Sequence, residues 1–193
     1  MSKLYHRGNR ELQDQFNSRK LADRLYDLRV REALTKEDCD FIQARDMFFI
    51  STVDEQGRPT VSYKGGDRGF VKIIDATTIA FPHYDGNGMF ITNGNIMLTN
   101  HVGMLFIDFE QPRRLRLHGL ASVKTDDSLM ADYTGAQQII RVTISNVFPN
   151  CPRYIHSYKK LNPQSTHLKL IRLLLLQNGS SQRTSRMYYL IDN

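Results

Sequence analysis

Residues 47–70 constrain the fold more than any other stretch. Met47-Phe-Phe-Ile-Ser-Thr-Val53 is rich in aromatic and β-branched residues and reads as a strand. Asp54-Glu-Gln-Gly57 supplies the turn, and Pro59 opens a return strand. In that return strand Thr60, Ser62 and Lys64 fall on one face by the two-residue period, and Gly65-Gly66 follow. Small hydroxyls, one lysine and two glycines let backbone N–H groups approach an anion, and a phosphate fits such a stretch. The same residues also suit a hairpin strand with a wet face and a glycine turn, so both readings stay open here.

A second anion-friendly stretch lies downstream. His83-Tyr-Asp-Gly-Asn-Gly-Met89 places Gly86 and Gly88 on either side of Asn87, just before an expected helix over 89–98. Free N–H groups at a helix start preceded by glycines can hold an anion, although an ordinary turn and cap would look alike. The ligand spacing and terminal glutamate of a calcium loop are missing there.

Between and around these stretches the chain reads mainly as strands. Leu12, Phe16, Leu21, Leu25 and Leu28 recur at helical spacing, which predicts a helix over 9–33 that packs on a barrel or on a partner subunit. Thr35 with Asp38 predicts the capped start of a short second helix. Further strands are expected at 69–74 and at 78–81, the latter stopped by Pro82, and then at 102–108, 113–123 and 139–147. A short helix is expected at 126–133. In the 113–123 strand Leu115, Leu117, Ala121 and Val123 should face inward, with Arg114, Arg116 and His118 on the other side. That side could be a solvated face or the cationic wall of an anionic pocket. After 147, prolines flanking Cys151 should stiffen a turn that presents Arg153 and Tyr154. Hairpin strands with a leading helix and a helix between strands four and five suggest a small closed β-barrel with helical additions.

Composition narrows the function classes. No apolar run approaches the ~18 residues of a membrane span, and the N-terminus lacks the apolar core of a secretory signal. Cys39 and Cys151 are isolated and read as reduced thiols, so a cytoplasmic protein is expected. Residues 1–132 carry 18 Lys and Arg against 19 Asp and Glu, whereas 133–193 carry 8 against Asp192 alone. The basicity therefore belongs to the C-terminal third. Without the stacking motifs or zinc spacings of the common modules, nucleic acid is not the expected partner. No Ser/His/Asp, Walker or metal-ligand constellation is present, and no catalytic residue is assigned.

The residues from about Phe41 to Ile155 resemble the pyridoxamine 5'-phosphate oxidase-like FMN-binding split barrels. The resemblance is carried by Phe48–Pro59, Asp85-Gly-Asn-Gly-Met89, Asn100-His-Val-Gly-Met-Leu-Phe106, Arg113–Ala121 and Asn150-Cys-Pro-Arg-Tyr-Ile155. The last of these is similar to the ending of uncharacterised bacterial members. What the resemblance implies is a mainly β split barrel over 47–157, with a helical segment over 1–46 and a basic extension over 158–193. It further implies a homodimer holding two FMN molecules at its interface. The FMN contacts implied are Ser62, Tyr63, Lys64 and Gly65 from one element, and Phe81, Pro82, Gly86, Asn87 and Gly88 from the other. Arg114 is implied against the flavin ring, and Arg153 and Tyr154 against the flavin of the partner subunit.

The departures from that family pattern are specific. True pyridoxamine phosphate oxidases have arginine where Ser62 stands and Arg-Lys where Gly88-Met89 stand, and they end in Trp-Arg-Leu-x-Pro. This chain has no tryptophan. Vitamin B6 oxidation is therefore not expected. The expected function is FMN-dependent oxidoreduction of a small molecule, with a nicotinamide nucleotide as a candidate partner. The alternative is a flavin or haem-type ligand carrier or sensor without turnover.

Overall fold

A computed structural model describes residues 4–159. The Leu168–Leu176 run and most of the basic extension lie outside the described residues.

Seven strands form one antiparallel sheet: β1 Met47–Val53, β2 Pro59–Gly65, β3 Lys72–Asp75, β4 Thr78–Tyr84, β5 His101–Asp108, β6 Arg113–Lys124 and β7 Ala136–Asn150. Their spatial order is β2-β1-β5-β6-β7-β4-β3. With α1 Arg7–Gln15, α2 Arg19–Arg29, α3 Lys36–Gln43 and α4 Ile91–Thr99, the fold is mainly β, of split-barrel type with added helices. As expected, α4 lies between the fourth and fifth strands.

The β1–β2 hairpin forms as its residues dictate, with Met47 opposite Gly65 and Val53 opposite Pro59. Gly57, at φ +81, takes the left-handed turn position that glycine tolerates best. Inward residues of the central strands meet around Phe48, which packs edge-on to Phe81 at 4.9 Å and against Phe106 at 5.1 Å. Leu115, Leu117 and Ala121 face this core as expected, and Val123 is half-buried.

Four sequence expectations are corrected. The leading helix is two helices, because Asn17 adopts a left-handed φ of 51° and ends the first. An Arg10–Asp23 ion pair at 2.7 Å and a Tyr5 hydroxyl donating to the Ala22 carbonyl at 3.2 Å hold them together. None of their residues is buried, so the barrel does not cover the stripe. Secondly, Pro82 does not stop β4, which runs to Tyr84. β3 pairs only with Thr78–Ala80, so one edge of β4 has no strand neighbour at Pro82, and a missing N–H costs little there. Thirdly, β7 continues through Pro149, which pairs with Leu115 near the start of β6. Finally, the third strand begins at Lys72 rather than 69, after a turn at Gly69 with φ +82, whereas the expected short helix at 126–133 forms as a 3-10 helix over Ser128–Asp132. Thr35, by contrast, caps α3 as its spacing predicts: Asp38 N donates to Thr35 Oγ1 and Thr35 N donates to Asp38 Oδ2.

One buried ion pair braces the β7 side. Arg141 holds Asp127 through two bonds, Nε to Oδ2 at 2.5 Å and Nη2 to Oδ1 at 2.8 Å. These bonds hold the carboxyl at about 2, below the ordinary 3.8. Its folded value is depressed, so the contribution is full above the ordinary value and is lost as pH falls through about 2. Asp127→Asn should destabilise the protein by about 1–2 kcal/mol at neutral pH, allowing for screening around the partly exposed Arg141. Urea unfolding should show that gap narrowing as pH falls from about 5 toward 3. A gap that does not change with pH would remove the carboxylate charge as its cause.

Candidate functional site

The β2 face that carries Ser62 and Lys64 meets the start of α4. Ser62 Oγ lies 3.0 Å from Thr92 Oγ1, and Lys64 Nζ donates to the same Thr92 oxygen at 3.3 Å. Thr92 is buried in the first turn of α4. Lys64 is half-buried, and desolvation pulls its ammonium below the ordinary lysine value. No carboxylate pairs with Lys64 among the described residues. A half-buried cation lacking a counter-ion is suited to bind an anion.

The start of α4 adds to that suitability. Its N-cap, Phe90, has a left-handed φ of 49° and makes no side-chain cap bond. The exposed loop before it is held by Asn87, whose Oδ1 accepts from Met89 N at 3.1 Å. Gly88 has φ +73, so glycine is needed there for backbone reasons, while an added Cβ at Gly86 or Gly88 would meet nothing within 4 Å. First-turn N–H groups without a side-chain cap carry the positive end of the helix dipole. They sit beside Ser62 and Lys64 because Thr92 bridges to both.

The remaining candidates are placed differently. Tyr63 points to the opposite face of β2, exposed, with its ring 6.0 Å from Phe49. Phe81 is a core side chain and Pro82 is buried beside it, so both offer mainly backbone to a ligand. Gly65 follows Lys64 at the end of β2, where an added Cβ would crowd the Tyr63 ring. Arg114 donates through Nη2 to the Cys151 carbonyl, and its buried Nε has no partner. Asn150 Oδ1, opposite it in the register, is also buried and unpaired. Arg153 and Tyr154 are exposed, Tyr154 at 93% with φ 66. Thus Ser62, Lys64 and the Gly86–Gly88 loop gather around the α4 start. Arg114 belongs with the Cys151 turn.

Sequence reasoning missed Thr92 and Asn93. Asn93 is buried and donates to Gln138 of β7, tying α4 to the sheet, while its Oδ1 is unpaired. A small hydroxyl in the first turn after Gly-Asn-Gly was the available signal for Thr92. Two half-buried histidines, His83 of β4 and His118 of β6, are both held below the ordinary histidine value. Burial is the main cause for each, followed by Lys64 for His83 and Arg116 for His118.

The comparisons with known proteins agree with this fold. The pyridoxamine 5'-phosphate oxidase family model matches residues 34–151. A Lactobacillus delbrueckii structure named for pyridoxamine 5'-phosphate oxidase is similar at 21% identity and TM-score 0.51, over 61% of this chain and 95% of that one. HupZ of Group A Streptococcus is similar at 18% identity and TM-score 0.50, over 65% of this chain and 99% of that one. No curated protein matches the chain. Because the family match spans more than half of the chain and includes both β2 and the start of α4, the protein belongs to the pyridoxamine 5'-phosphate oxidase family.

Proposed function

We propose that the protein binds FMN and serves as an FMN-dependent oxidoreductase on a small molecule. The observation that carries this reading is Lys64, without a carboxylate partner among the described residues, beside Ser62, Thr92 and the start of α4, which has no side-chain cap. These groups suit a phosphate monoester: one charge-assisted donor, two hydroxyls and a helix N-terminus. Lys64 would hold the phosphate, and the Gly86-Asn87-Gly88 loop would close over it. Gly65, Phe81 and Pro82 would line the approach with backbone, and Arg114 would stand toward the ring. FMN, when bound, supplies the hydride chemistry, while the chain binds, orients and shields it. The family's arginine is replaced by Ser62 and its Arg-Lys pair by Gly88-Met89. With these departures from the family pattern, a small molecule other than pyridoxamine 5'-phosphate is the substrate of this proposal.

Turnover is tested by adding NADH or NADPH under argon to the flavin-loaded protein. Bleaching of the yellow colour supports a nicotinamide-linked oxidoreductase. A sample inert to both nucleotides, and to candidate substrates after dithionite reduction, favours a carrier. No helix among the described residues is long and apolar enough to cross a membrane.

The same reading makes the protein a twofold dimer, with Arg153 and Tyr154 reaching the partner's flavin. The apolar stripe of α1 and α2 supports it: Leu12, Phe16, Leu21, Leu25 and Leu28 are exposed by 46–71%. Large apolar side chains left exposed on these two helices are a liability on a monomer, and a symmetric interface would bury them on both subunits. Sedimentation at low micromolar concentration should give a dimer with and without FMN, and FMN should strengthen it by mass action. A yellow monomer would end the shared-site reading.

A further inference from the structure

Beside Lys64 stands a second titratable group that the phosphate reading does not use. His83 lies near the end of β4, half-buried, with its ring 5.4 Å from that of Phe90, the residue that starts α4. Lys64 reaches the same helix start from β2, through Thr92. The sheet order sets β2 at one edge and β4 near the other, and the start of α4 meets both, Thr92 at β2 and Phe90 beside His83 of β4. The charged groups that act on His83 are Lys64 from β2 and Asp85 from its own chain segment. Across the sheet its register partner is the uncharged Gln138.

We propose that His83 is a second cationic residue of this anion site, that it takes up a proton when a phosphate monoester binds, and that the Lys64–His83 pair selects doubly charged over singly charged phosphates. The proposal rests on the reading of the site as a phosphate site. Without an anion, burial and Lys64 hold the imidazole neutral, with Asp85 opposing only in part. A dianion placed at Lys64 reverses the sign of the field at His83 and favours the imidazolium. The proton comes from solvent, and no bond is made or broken in the ligand. A phosphodiester carries a single charge and gains less from the pair, so FMN is favoured over a dinucleotide flavin.

The direction of the pH dependence follows. The histidine titrates low when free and higher when bound, so binding is favoured at the acidic side and weakens as pH rises between the two values. The phosphate's own second ionisation, near 6, acts on any variant alike, so the ratio of wild type to His83→Asn isolates the histidine.

The test is histidine NMR on the full chain, with resonances assigned through His83→Asn. His83 should titrate below the ordinary histidine value in the free protein and at least about one unit higher with FMN, but not with riboflavin. In parallel, the FMN affinity of wild type relative to His83→Asn should rise several-fold between pH ~8 and ~6, toward the roughly tenfold limit of a one-unit shift. The NMR arm needs no folded variant beyond the assignment, and His83→Gln replaces His83→Asn if the latter does not fold. FMN binding with an unmoved His83 resonance overturns this inference and leaves the FMN reading intact. If FMN does not bind, the FMN reading fails, and inorganic phosphate becomes the probe. A His83 resonance that phosphate shifts upward then supports the anion site alone, and one that it leaves unmoved overturns it.

Discussion

Gly119→Ala is expected to cost about 3 kcal/mol, the upper end for overpacking a core. β6 and β7 slip by one residue between His118 and Gly119, leaving Ser145 without a partner across the ladder. At that bulge the two backbones close on each other. A Cβ at Gly119 would overlap the Thr143 carbonyl oxygen and lie 2.8 Å from Val142 Cγ1. A backbone carbonyl cannot rotate aside as a side-chain tip can, so the strands must separate or the ladder must break. The affected strands carry Leu117 and Val142 into the core, so the strain spreads inward. Urea unfolding gives the number, with an unchanged slope required for a clean reading. Gly94→Ala is the control: it sits within α4, and an added Cβ meets nothing within 4 Å. There alanine should stabilise by up to about 1 kcal/mol, since it favours the helix. A Gly119→Ala loss within about 0.5 kcal/mol, the range of surface changes, would show that β6 and β7 do not meet closely there.

Lys64→Ala is expected to weaken FMN binding by roughly 10- to 100-fold, because a charge-assisted bond contributes about 1.5–3 kcal/mol. The structure sharpens this figure toward its upper part. Lys64 is half-buried and no carboxylate pairs with it among the described residues, so no neighbouring counter-ion weakens its pull on an anion. The mutation also leaves Thr92 Oγ1 with Ser62 as its remaining partner, which limits damage to the fold. Riboflavin, which lacks the phosphate, should bind wild type and variant alike. Quenching of flavin fluorescence on titration distinguishes the two. An unchanged FMN affinity in Lys64→Ala would remove Lys64 from the site.

Local signals in the sequence were reliable where a single residue decides the local geometry. The β1–β2 hairpin follows from an aromatic strand, a glycine that tolerates a left-handed turn, and a proline at the strand start. The Thr35 cap follows from a hydroxyl and a carboxylate three residues apart. The period of two put Ser62 and Lys64 on one face of β2, and the structure keeps them there. What was not legible depends on partners far away in the chain. Pro82 is compatible with a strand only because β3 is too short to reach it, and no local rule reports the length of a neighbour. Asn17 breaks the leading helix through its left-handed conformation, which the helical periodicity on either side concealed. Thr92 joins the site because α4 lies against a strand some 30 residues earlier, at 3.0 Å from Ser62, a proximity set by the packing of α4 on the sheet. Tyr63 and Phe81, which the resemblance implies as FMN contacts, stand on the outward face of β2 and in the core respectively, as alternation and burial dictate.

In the proposed reading, this barrel holds FMN at the Lys64–Thr92 site. The most direct measurement is the absorbance spectrum of the protein as isolated, followed by heat release and identification of any chromophore by mass. The expected result is a bound flavin spectrum with FMN released in a ratio approaching one per chain, and the colour lost in Lys64→Ala purified in the same way. A colourless wild-type protein that also fails to take up added FMN, or one that releases a chromophore without a phosphate, would contradict the account.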